Sequence, residues 1–148
     1  MTKEKKQHKI FVDGAISPAF IADSLAAHAK KTNIGAHAMF MGQVRADIVE
    51  GKMVQAIEYT CYREMAEDIC HEIRESAFAA FDLTCLHIYH SLGEVKTGEI
   101  CLFVFVSSKH RKAAFEACET IVERIKKELP VWGKEIFTDA SEQWKINN

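Results

Sequence analysis

The sequence predicts an α+β domain in which helices pack against an antiparallel sheet, and three observations predict it. The apolar pattern switches between the strand period and the helix period in the order strand, helix, strand, strand, helix, strand, strand, helix, strand. The chain has 148 residues, 48% of them hydrophobic, enough for one sizeable core and too few for two comfortable ones. No internal repeat or low-complexity tract interrupts the order. A single domain over residues 1–148 is expected, with the charged residues 1–8 flexible.

The first element is a short β-like run from Lys9 to Val12. Ser17-Pro18 then places a capping hydroxyl before a proline at the first helical position. Phe20, Ile21 and Leu25 recur at helical spacing until Asn33 and Gly35 punctuate the helix. Gly35–Val44 and Val54–Tyr62 read as strands joined by a polar loop, Asp47–Lys52. From Arg63 to Phe81, Met65, Ile69, Ile73 and Ala77 form one stripe of an amphipathic helix. Leu83–Leu92 and Glu99–Val106 read as two more strands, with Gly93–Gly98 as a hairpin-like connection. In the helix that follows, Phe115, Cys118, Val122, Ile125 and Leu129 form the core-facing stripe, and Pro130 stops it. The tail from Val131 holds one more short strand and Trp144.

Composition excludes several function classes. Nineteen Lys and Arg against 21 Asp and Glu leave a net charge of -2, so no global field attracts nucleic acid or an anionic membrane surface. The longest strongly apolar stretch, Ile100–Val106, is far shorter than the roughly 20 residues that span a bilayer. The basic start lacks the apolar segment and cleavage site of a secretory signal, which points to the cytoplasm. Cys61, Cys70, Cys85, Cys101 and Cys118 are odd in number and scattered among apolar neighbours, as reduced structural thiols are. Nothing clusters at zinc-ligand spacing, and His87 and His90, three apart in a strand, point to opposite faces; no metal site is expected.

The chemistry resides in scattered cations. Lys109, His110, Arg111 and Lys112 sit where a strand runs into a long helix, although cations at a helix N-terminus are unfavourable by roughly 0.3–1 kcal/mol each. A bound phosphate reconciles that arrangement, and simple exposure to solvent is the competing explanation. Lys126 and Lys127 close the same helix, where lysines are favourable for structural reasons. Lys126 lies toward the Phe115/Val122 flank and is the better candidate for a lysine held near a pocket. Arg45, ending Gly42-Gln43-Val44-Arg45, is placed to rim a cleft and grip phosphate or carboxylate.

Four segments in register carry a resemblance: Phe40-Met41-Gly42-Gln43-Val44-Arg45, His90-Ser91-Leu92-Gly93 through Gly98-Glu99, His110-Arg111-Lys112-Ala113-Ala114-Phe115, and Pro130-Val131-Trp132-Gly133-Lys134-Glu135. Over about Ile34 to Trp144 the chain resembles the molybdopterin synthase large-subunit family. The resemblance implies an α/β hammerhead-like fold and a homodimer, with a small ubiquitin-like sulfur-carrier subunit docked at each end of a heterotetramer. That partner's Gly-Gly tail, as a thiocarboxylate, would deliver sulfur to cyclic pyranopterin monophosphate, with no permanently bound cofactor. It further implies that Arg45, His110 and Arg111 hold phosphate and pterin, that Gln43 and Val44 belong to the same wall, and that Lys134 and Glu135 line the substrate site. Lys126 would meet the thiocarboxylate, with Lys126 or Lys134 as general acid/base. One departure stands out: many members carry a lysine directly after the tryptophan, where this chain has Gly133, and Lys134 is expected to supply that ammonium through the freedom of the glycine. The competing readings are a non-catalytic, partner-binding homologue, which Gly133 favours, and a small-ligand or RNA-binding α+β module.

Overall fold

The computed structural model describes residues 9–146; the expected flexible start, residues 1–8, lies outside the described residues. The elements run β1 (Phe11–Asp13), α1 (Pro18–Ala27), β2 (Ala36–Gln43), β3 (Ile48–Val49), β4 (Lys52–Cys61), α2 (Arg63–Ala80), β5 (Cys85–Lys96), β6 (Ile100–Ser108), α3 (Arg111–Glu128), β7 (Val131–Phe137) and β8 (Glu142–Trp144). The strands join in the order β2-β6-β5-β4-β7-β8, with β3 against β4 and β1 beside β5. Pairing is antiparallel throughout except for β1 with β5. The predicted α+β class and element order hold, with two short strands added, β3 inside the polar loop and β8 in the tail. Neither is long enough to show a period of its own.

Ser17 caps α1 as its residue type demands, its Oγ accepting the Phe20 N–H at 3.1 Å, with Pro18 in the first turn. The helix ends at Ala27, earlier than the expected punctuation at Asn33, because the His28 N–H turns back to the Leu25 and Ala26 carbonyls.

Alternation sorts the central strands into two faces. Leu86, Ile88, Leu102, Val104 and Val106 enter the main core under α2 and α3. Phe103 and Phe105 point the other way, fully buried with Ile16, and Phe20 and Ile21 of α1 close over them. Phe20 meets Tyr89 edge to face at 4.8 Å.

The two long helices bury faces rotated slightly from those expected. In α2 the buried set is Ala66, Cys70, Ile73 and Ala77, and Met65 is exposed; in α3 it includes Ala114, Ala117, Cys118, Ile121, Val122 and Ile125, and Phe115 is exposed. Small side chains let helix backbones approach closely, so the alanine-rich flanks face inward and the bulkier residues at the stripe edge swing out.

The expected Gly93–Gly98 connection is mostly strand. β5 pairs with β6 from Cys85 to His90, then changes partner and pairs with β4 from Gly93 to Lys96. Gly93, with φ +82°, sits at the change of partner, a backbone state that side chains other than glycine's rarely take. Val95 beyond it is fully buried between exposed Glu94 and Lys96, which is strand alternation, and only Thr97-Gly98 makes the turn. All five cysteines are free and four are buried. No helix among the described residues is long and apolar enough to cross a membrane.

Candidate active site

Lys126 stands in the last turn of α3, where the helix end, the bulged end of β2 and the β7–β8 hairpin meet. Pro130 ends the helix and returns the chain into β7, beside β4. The segment after β8 is pinned to β7 by the Lys145 N–H, which donates to the Gly133 carbonyl at 2.8 Å. These connections bring Lys145 alongside Lys126, although the two are 19 positions apart in the sequence.

Two hollows share this pair of lysines. A narrow one, with about 40 Å³ of free space, is walled by Tyr59, His90 and Gly133. A wider cleft of about 620 Å³ is walled by Gln43, Arg45 and Glu135. The pattern is a small slot beside a broad cleft, with Lys126 and Lys145 lining both.

The electrostatics of the slot follow from burial. Lys126 is exposed along part of its length, yet the groups packed around it desolvate its ammonium and lower its pKa below the usual lysine range. Cys101 opposes that shift, and the positive charge of Lys145 adds to it. His90 is almost fully buried, and its pKa is pushed down to about 4, by desolvation first and by Lys126 as well. Its Nδ1–H donates to the Ser91 carbonyl at 2.8 Å, which leaves Nε2 as an acceptor. Burial, together with Cys101, raises the Tyr59 phenol, which stays protonated. The slot therefore holds one cationic wall and neutral hydrogen-bonding groups, a setting suited to a single negative charge.

The sequence-predicted residues divide into four groups. Gln43, Arg45, Lys126 and Glu135 come together around the cleft. Arg45 pairs with Asp47 at 3.3 Å, but its side chain is 74% exposed, so the pair is weak and the guanidinium remains available to an anion. Val44 does not line the wall; it is buried in the core, its N–H donating to the Glu99 carbonyl at 3.0 Å. His110 and Arg111 stand exposed at the far end of α3, with His110 as its N-cap residue. Lys126 lies 15 positions along the helix from Arg111, an axial distance of roughly 22 Å. One chain cannot bring both to one ligand.

Lys134 is also apart. Alternation along β7 places Gly133 and Glu135 on the cleft side and Lys134 on the reverse side, where its ammonium pairs with Glu142 at 3.4 Å and lies 5.0 Å from the Trp144 ring centre. Gly133 lies outside the left-handed region, so no backbone freedom redirects Lys134. A Cβ at position 133 would stand 2.8 Å from Ile57 Cγ2 and 3.3 Å from the Tyr59 ring. The space a longer side chain would need belongs to β4.

Sequence reasoning missed Lys145 and His90 as site residues. Lys145 follows a strand of three residues with no legible period. His90 does open one of the four segments that carry the resemblance, and that membership was the available signal.

Comparison with known proteins bears on the sequence and the fold. The family model described as MoaE protein matches residues 16–128. The chain is 40% identical over 113 residues to the molybdopterin synthase catalytic subunit of Pyrococcus abyssi, covering 76% of this chain and 75% of that one. It is 34% identical over 140 residues to that of Aspergillus clavatus, covering 95% and 70%. Among solved structures, the crystal structure of molybdopterin synthase from Staphylococcus aureus superposes with a TM-score of 0.81 at 30% identity, over 97% of this chain and 99% of that one. A complex of subunits 1 and 2 of the molybdopterin-converting factor from Helicobacter pylori, at 22% identity and a TM-score of 0.79, covers 91% and 88% and shares the fold.

Proposed function

Since the chain belongs to the MoaE protein family, we propose that it works as the catalytic subunit of a molybdopterin synthase. In this reading a small ubiquitin-like subunit ending in Gly-Gly brings sulfur as a C-terminal thiocarboxylate, and the acceptor is cyclic pyranopterin monophosphate. The whole chain acts as one cytoplasmic domain with no resident cofactor. The single observation that carries the assignment is the junction of Lys126 and Lys145 between a slot too narrow for a pterin and a cleft wide enough for one.

The chemistry follows from the shapes. A Gly-Gly tail is the slimmest peptide there is, and the glycine wall at 133 suits it. The tail's thiocarboxylate meets the Lys126 ammonium, whose partial desolvation strengthens the pairing. Pterin and phosphate occupy the cleft, near Gln43, Arg45 and Glu135. As the thiocarboxylate sulfur bonds to a carbon of the pterin side chain, a C–O bond there breaks, and water then cleaves the resulting thioester, leaving sulfur on the pterin and a carboxylate on the tail. Lys126 stabilises the charge on the departing oxygen, and its lowered pKa suits it to proton transfer. We assign the second ammonium to Lys145 in place of Lys134, because Lys145 faces both hollows.

His110 and Arg111 then serve the cleft of a second copy. A two-fold homodimer supplies each cleft with the exposed cationic start of the other chain's α3, where phosphate is favoured.

The test is product formation from thiocarboxylated small subunit and cyclic pyranopterin monophosphate. Lys126→Ala should abolish the dithiolene product while circular dichroism stays unchanged; undiminished turnover by the folded variant overturns the assignment. Mixing Lys126→Ala with Arg111→Ala chains should restore about a quarter of wild-type activity, since random exchange makes half the dimers mixed and gives each mixed dimer one intact site. No restoration would overturn the shared site, because that is the result expected when each chain depends on its own Arg111.

A further inference from the structure

On the face of the sheet away from Lys126, three donors from distant parts of the sequence converge. Cys85 and His87 are two apart on β5 and so project to the same side. His28, the C-cap residue of α1, comes down onto them. One ligand atom from each, the Cys85 Sγ and a ring nitrogen of each histidine, lie within 4.8 Å of one another. His28 and Cys85 are buried.

We propose that His28, Cys85 and His87 form a binding site for one divalent cation of the zinc class, with water completing four-coordination. The tautomer of His28 is the first argument. Its Nδ1 lies 2.7 Å from the Ser24 carbonyl, which can only accept, so Nδ1 carries the proton and Nε2 presents a lone pair. A metal-bound histidine is commonly oriented in this way, by a backbone carbonyl behind it. Distance is the second. His28 Nε2 and His87 Nε2 stand 3.0 Å apart, and tetrahedral zinc with Zn–N near 2.0–2.1 Å requires about 3.3 Å between them. Without metal one proton joins the two rings; with it, the cation takes the place of that proton. The Cys85 sulfur needs to come within about 3.6 Å of each nitrogen, a shift on the order of 1 Å.

Charge is the third argument. The Lys31 ammonium donates to Cys85 Sγ at 2.8 Å, so the sulfur already faces a cation. One sulfur and two imidazoles make a borderline-soft donor set, which favours zinc over magnesium or calcium. The site would fasten the end of α1, which has no fully buried residue of its own, to the sheet.

Cobalt(II) titration of the full chain, purified metal-free, tests this directly. The wild-type protein should give a thiolate-to-cobalt charge-transfer band and the visible bands of a tetrahedral ion, saturating at one cobalt per chain and bleached by zinc. Cys85→Ser should lose the charge-transfer band, and His87→Gln should weaken cobalt binding at least tenfold. Cys61→Ser, which removes a thiol outside the cluster, should keep both. Zinc should raise the Tm of the wild type and leave that of Cys85→Ser unchanged. A folded wild-type chain with no charge-transfer band at saturating cobalt overturns the proposal, whatever the variants do. A band that survives Cys85→Ser overturns it equally. Molybdopterin formation is not the readout, so the result is independent of the assignment of Lys126.

Discussion

Acidification from about pH 7 to pH 4 should destabilise this fold by about 3 kcal/mol through His90 alone. His90 is 6% exposed, and its pKa lies at about 4 in the folded chain against an ordinary value near 6.5. Between those two values the unfolded chain holds a proton that the native chain lacks, so stability rises with pH across this window. The contribution is present in full above about 6.5 and is lost progressively as the pH falls from there to about 4; at roughly 1.4 kcal/mol per pH unit the loss approaches 3 kcal/mol. Urea unfolding followed by tryptophan fluorescence, repeated from pH 7 to 4, reads it. The comparison is His90→Asn, whose amide nitrogen takes the place of Nδ1 as donor to the Ser91 carbonyl and cannot titrate. The wild-type curve should fall more steeply than the variant's, and the gap should open between pH 6.5 and 4. Parallel curves would refute the assignment of a neutral, buried imidazole. The same neutrality has a functional side: a protonated His90 would place a second buried cation beside Lys126.

Three further outcomes follow from the same geometry. Lys145→Ala should reduce product formation and move the alkaline limb of the pH–rate profile upward, because Lys145 is one of the groups that lower the Lys126 pKa. Lys134→Ala, removing a partly exposed pair and a ring contact, should change stability by less than about 1 kcal/mol and leave the rate near wild type. Gly133→Ala should cost about 1–3 kcal/mol by urea unfolding, since its Cβ meets Ile57 Cγ2 at 2.8 Å and Ile57, 2% exposed, has nowhere to go.

How far the sequence was legible depended on how many residues carried each signal. Three helices, the long strands and the Ser17 cap each rest on several residues repeating a period or a motif, so their places read correctly, while the end of α1 and the second half of β5, where glycine and partner exchange intervene, did not. Short elements such as β3 and β8 carry no period. The rotation of α2 and α3 depends on which neighbours are small, which is tertiary information, and Met65 and Phe115 were misassigned for that reason. At the site, alternation along β7 already implied that Lys134 and Glu135 face opposite ways; the resemblance grouped them because it follows linear order. The His28, Cys85 and His87 cluster spans 59 positions between its histidines, beyond any spacing rule for metal ligands.

The separation along α3 is the strongest structural constraint on mechanism. An arginine or lysine extends only a few ångströms from its backbone, so two cationic groups roughly 22 Å apart cannot grip one monophosphate. Arg45, Lys126 and Lys145 already gather enough positive charge for the thiocarboxylate and part of the substrate. His110 and Arg111 remain unaccounted for within one chain, at a helix end where they are unfavourable without an anion. In a two-fold dimer a single contact acts twice, so placing this helix end at a neighbouring cleft completes two sites at once. An isolated chain should then keep the slot and lose the phosphate grip. Dilution below the dimer dissociation constant should accordingly raise KM for the pterin more than it weakens capture of the small subunit.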